Sequence, residues 1–81
     1  MKRKSFYVVS ETIVNLKKES VDTFIRGLSE ELDSAHSVLE YSKEDLIRNG
    51  FDKSLISDFN WGWTYKSDSC IIKDEINIKF V

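Results

Sequence analysis

The apolar residues of this chain change their period along its length, and that change restricts the fold more than any other feature. Val21, Phe24, Ile25, Leu28, Leu32, Ala35 and Leu39 are spaced by three, one, three, four, three and four. That spacing traces one stripe of an α-helix. From Trp61 onward the period is two. Trp61, Trp63 and Tyr65 fall on one strand face, and Ile76, Ile78 and Phe80 alternate with polar neighbours. A helical stretch followed by alternating strands predicts an α+β domain, a small antiparallel sheet of about four strands with helices packed on one face.

The elements follow from this frame. Residues 5–14 are rich in β-branched and aromatic types and predict a strand. Phe6 and Val8 fall on one side and Tyr7 and Val9 on the other, so both sides are apolar, as in an interior strand. Ser20 is a candidate N-cap for a helix over about 20–40. Gly27, Ser29, Ser34 and Ser37 weaken that helix. A break near Asp33–Ser34, with Ser37–Tyr41 as a short strand, is the alternative. Ser42 to Asp45 resembles a capping box opening a second helix, which Asn49-Gly50 closes. Asp52 or Ser54 can cap one more helical turn carrying Leu55, Ile56 and Phe59. Lys66–Ser69 predicts a turn, Cys70–Ile72 a strand, and Asp74-Glu75 a turn into a last strand. The expected order is strand, helix, helix and a three-strand meander.

With 81 residues the chain is one domain, 1–81, with residues 1–4 as a flexible basic terminus. The absence of proline leaves few built-in stops and no long linker. A single cysteine, Cys70, permits no intramolecular disulfide. The apolar run after the basic start, Phe6 to Val9, is short for a secretory core, and no segment approaches the roughly 20 apolar residues of a membrane span. A cytoplasmic protein with no membrane contact is the expectation.

Residue types narrow the chemistry. One Cys and one His, thirty-four positions apart, make a poor start for a metal centre. His36 is expected on a helix flank, within reach of Glu40 four residues on. Cys70 is expected to pack as a small hydrophobe. No glycine-rich phosphate loop is present. Glu30/Glu31 and Glu44/Asp45 are adjacent pairs whose side chains point about 100° apart on a helix, so neither pair forms a shared dyad. These readings predict no catalytic residue, no cofactor and no metal, and a protein that is not an enzyme.

Charge is unevenly spread. Lys2, Arg3, Lys4, Lys17 and Lys18 against Glu11 and Glu19 give residues 1–20 a local +3. Residues 21–45 carry a local −5. The bland reading of the acidic stretch is a solvated helix face. The functional reading is a surface that steers a basic partner. The expected function is therefore a small protein-binding module. It would inhibit or neutralise another protein by occlusion, in the manner of phage-type, anti-CRISPR-like inhibitors of host defence enzymes or of toxin-immunity partners. Glu30, Asp33, Glu40 and Glu44 are the candidate electrostatic contacts, and Trp63 and Tyr65 the candidate apolar anchors; the bland reading of the Trp61, Trp63 and Tyr65 face is the core beneath the amphipathic helix. Two alternatives stand beside it. One is a nucleic-acid-binding or transcription-regulating domain using the basic N-terminus and the sheet aromatics. The other is an assembly subunit, a homodimer formed by β-addition along the C-terminal strand Ile76–Val81.

Overall fold

The structure is a computed structural model that describes residues 5–80. The basic terminus expected at 1–4, and Val81 at the end of the predicted last strand, lie outside the described residues. The elements are β1 (Ser5–Asn15), β2 (Ser20–Ser29), α1 (Leu32–Arg48), a 3-10 turn (Lys53–Leu55), β3 (Ile56–Phe59), β4 (Gly62–Lys66) and β5 (Cys70–Phe80). One antiparallel five-stranded sheet, in the order β2-β1-β5-β4-β3, carries α1 on one face. The α+β class and the helix-covered face agree with the sequence reading. Among the described residues the strand count rises from about four to five, and the α-helices fall to one.

The largest correction concerns residues 20–29. They form β2, paired antiparallel with β1 from Tyr7↔Ser29 to Asn15↔Ser20. The three-four stripe also contains an alternation, with β-branched Val21, Thr23 and Ile25 on one side of a strand. Such residues lose side-chain freedom in a helix and fit a pleated surface. Gly27 would cost a helix interior about 1 kcal/mol relative to alanine. The hairpin turn needs no glycine. Asn15 Oδ1 accepts from the amides of Lys17 at 3.1 Å and Lys18 at 3.0 Å, and Glu19 takes the left-handed conformation at φ 52°. β1 is thereby interior, flanked by β2 and β5, as its two apolar sides predict.

The helix begins where the stripe becomes regular. Leu32, Ala35, Leu39 and Leu46 turn toward the sheet. Ser42, expected to cap a second helix, is instead buried in the middle of this one. Asp33 in the first turn and Arg48 in the last suit the helix dipole. Asn49 and Gly50 do close the helix, Gly50 at φ 94°. Asp52 caps the following turn by accepting from the Ser54 amide at 2.9 Å. Ile56 and Phe59, expected in that turn, lie in β3.

Asp74-Glu75 is no turn. β5 runs unbroken through both, paired along its whole length with β1 and with β4 over Ile71–Glu75. The core between sheet and helix holds Val9, Ala35, Leu39, Trp63, Tyr65, Ile72 and Ile76. Trp63 donates from Nε1 to the Leu39 carbonyl at 3.0 Å, tying β4 to α1. Gly62 permits the close crossing of β4 and β5. A Cβ there would stand 2.1 Å from the Asp74 carbonyl oxygen.

Candidate functional site

Three regions carry the polar and apolar features that bear on function. The first is the outward face of α1. Asp33, Glu40 and Glu44 are exposed and stand at i, i+7 and i+11, one stripe opposite the buried Ala35, Leu39 and Ser42. Glu30, also exposed, precedes the helix. The structure thus gathers three of the four acidic candidates on one surface. Glu40 is partly offset by Lys43, whose Nζ lies 3.3 Å from it and 3.1 Å from Asp58 of β3. Burial pulls the Lys43 pKa down, but the hydrogen bonds to Asp58 and Glu40 outweigh it and hold the ammonium above its usual value. His36, Glu40, Asp58 and Asn60 border a cleft of about 260 Å³ between α1 and the β3–β4 hairpin, floored by Trp63.

The remaining two candidates are corrected. Trp63 is 1% and Tyr65 6% exposed, so they are core residues and not anchors for a partner. Their face of β4 is the face that α1 covers. Trp61, half-buried, meets Tyr7 with ring centroids 6.1 Å apart, and Phe51 meets Tyr65 edge-on at 5.2 Å. Of the aromatic platform on which the nucleic-acid alternative drew, Trp63 and Tyr65 are enclosed and only Trp61 keeps partial exposure.

The second region is a buried polar cluster that the sequence reading missed. Asp74 is fully buried, and among the described residues neither carboxyl oxygen has a partner in hydrogen-bond geometry. It faces Glu11 across the β1–β5 pair and Trp63 across the β4–β5 pair. Ser42 of α1 and Arg26 of β2 complete its polar surroundings. Burial first, and then the neighbouring Glu11 carboxylate, push the Asp74 pKa up to about 8, against weaker opposite pulls from Ser42 and Arg26. Asp74 accordingly stays protonated at neutral pH and its O–H can point toward Glu11. Arg26 Nε stands 4.0 Å from Glu11 and 3.5 Å from Ser42 Oγ. One signal was present in the sequence. Ile72, Asp74 and Ile76 alternate, so Asp74 occupies an apolar phase.

The third region is the β2 edge. Val21, Phe24, Ile25 and Leu28 are exposed by 64%, 49%, 67% and 65%. Val21, Ile25 and Leu28 project onto the sheet face that α1 does not cover, where Ile25 lies opposite Ser10 and Leu28 opposite Val8. Further across that face β5 contributes polar residues, Lys73 and Glu75 among them, paired at 3.1 Å. The open face is therefore apolar near β2 and polar near β5.

The C-terminal strand is not an edge in the way its position in the chain suggests. β1 covers it from Cys70 to Phe80, and on the other side the Ile76 amide donates to Trp61. Among the described residues only Asn77–Phe80 lacks a neighbour on the β4 side. No helix is long and apolar enough to cross a membrane among the described residues. Comparison with known protein families, with curated proteins and with solved structures found no match.

Proposed function

We propose that this protein is a non-enzymatic protein-binding module that presents the outer face of α1 to a basic surface of its partner and acts by occluding it. The observation that carries this reading is the placement of Asp33, Glu40 and Glu44 on one outward stripe of a helix whose opposite side is locked into the core. A rigid helix fixed in this way holds its charges at set spacings. Complementary charge across an interface raises the association rate and selects the partner more than it adds affinity. Residues 30–48 carry six acidic side chains against Lys43 and Arg48, so the field on this side is negative.

The test begins with capture of the partner by the immobilised protein from its native lysate and identification by mass spectrometry. Association kinetics then compare the wild type with Asp33→Lys/Glu44→Lys. Reversing these two exposed charges slows association by about tenfold or more and weakens its salt dependence. An unchanged association rate removes the helix face from the interface.

A further inference from the structure

We infer that β2 pairs antiparallel with β2 of a second copy of this chain, about a two-fold axis through Phe24. The inference concerns a different surface from the acidic helix face and stands independently of it. Among the described residues β2 pairs with β1 on one side only, so alternate residues along its other side present backbone N–H and C=O groups to solvent. In an antiparallel ladder the directly opposed residues are oriented alike, both hydrogen-bonded or both not. Two copies of one strand therefore pair about an axis that passes through a residue, never between two.

The charges select which residue. Asp22 and Arg26 are the only charged residues of β2, one on each side of Phe24 at a distance of two positions. An axis through Phe24 brings each Asp22 opposite Arg26 of the other copy, sets the two Phe24 rings against each other, and places Thr23 opposite Ile25. Moving the axis to Thr23 sets Asp22 against Phe24, and moving it to Ile25 sets Arg26 against Phe24. Both shifts forfeit the two opposite-charge pairs, which are favourable across strands. Arg26 turns its Nε toward Ser42 and Glu11 while its side chain stays 35% exposed, so it can meet a second carboxylate. Arg26 is also the extra residue of a β-bulge, since Ser10 opposes Ile25 and Val9 opposes Gly27. The regular ladder on offer thus ends at Arg26.

Apolar surface lies on both sides of this edge. Val21, Ile25 and Leu28 flank it on the open face. On the helix side, Val38 sits over Gly27, and Tyr41, three residues further along that flank of α1, is 60% exposed. Opposed residues share a sheet face, so the pairing joins two five-stranded sheets with both helices on one side. Two acidic helix faces then point the same way, an arrangement suited to bivalent contact.

The test uses the full chain. Sedimentation from low micromolar to millimolar concentration detects a reversible dimer of the wild type. Asp22→Arg sets Arg against Arg26 of the partner copy and weakens the dimer at least tenfold, with circular dichroism showing that the fold is kept. In a Cys70→Ser background, single cysteines at Phe24, Thr23 and Ser57 are compared under mild oxidation. The axis places residue 24 opposite itself, so Phe24→Cys forms the disulfide-linked dimer fastest, and Ser57→Cys on β3 does not cross-link above background. A strict monomer at all concentrations overturns the inference. So does a dimer indifferent to Asp22→Arg, or cross-linking at Thr23→Cys or Ser57→Cys that is as fast as at Phe24→Cys. Asp33→Lys/Glu44→Lys leaves self-association unchanged, which separates this outcome from the fate of the helix-face reading.

Discussion

At one edge of the sheet β2 offers ten residues, four of them large, apolar and exposed, and only two charges. At the other edge β3 offers four residues, Ile56–Phe59, and its Asp58 is tied to Lys43 of the helix at 3.1 Å. Unpaired strand edges invite pairing with other chains, and proteins ordinarily blunt them by shortness, charge or cover. β3 has the first two, since it is only four residues long and carries Asp58, which pairs with Lys43 of α1. β2 has a bulge at one end and little else. Within one sheet the same hazard is thus reduced at β3 and left open at β2. The difference points to β2 as the edge that meets another chain.

The largest expected effect lies behind the β2 side, at the buried acid that Glu11 and Arg26 surround. The folded state favours protonated Asp74, with a pKa of about 8 against an ordinary 3.8. The corresponding stabilisation is complete below about pH 4, declines as pH rises, and is lost above about pH 8. The groups facing it are Glu11 from β1, Arg26 from β2 and Ser42 from α1, with Trp63 from β4. Urea unfolding should therefore show stability falling with pH across this window by on the order of 1 kcal/mol per unit. Asp74→Asn should flatten the profile and be the more stable protein at pH 8. A flat wild-type profile contradicts the assignment.

Next in size is Phe24→Lys, which sets two ammonium groups together on the proposed axis. The dimer dissociation constant should rise at least about a hundredfold, or roughly 2.7 kcal/mol. Ser57→Lys on β3 should change it by less than about twofold. Equal effects at the two edges would erase the distinction between them. The smallest effect is on the protected edge. Asp58 is largely exposed, so Asp58→Asn should lower stability by about 1 kcal/mol or less, and by less in high salt. A loss of several kcal/mol would mean that the Lys43–Asp58 contact contributes more than an exposed ion pair can.

The contrast between the edges also explains what could be read from sequence. The later half of the apolar stripe, Leu32 to Leu39, and the Asn49-Gly50 stop report local rules, and both appear in the structure. Its earlier half obeys two periods at once, and the choice of strand over helix at Val21–Leu28 was made by pairing with β1, a contact no local pattern encodes. The acidic candidates on α1 were legible because exposure follows from helix phase, although the boundaries of that helix were not. Trp63 and Tyr65 carry the same alternation whether a partner or the protein's own helix covers them, so the sequence allowed both readings and the structure selects burial. Asp74 was concealed by its neighbour. Two adjacent acids suggest a turn, yet in a central strand they point to opposite faces, and only one of them is buried.

The most direct test is amide hydrogen exchange followed over protein concentration. If β2 pairs with a second copy, exchange across Asp22–Arg26 slows as concentration rises, while exchange across Ile56–Phe59 in β3 stays constant. Exchange at β2 that is fast and independent of concentration, indistinguishable from β3, would contradict the account.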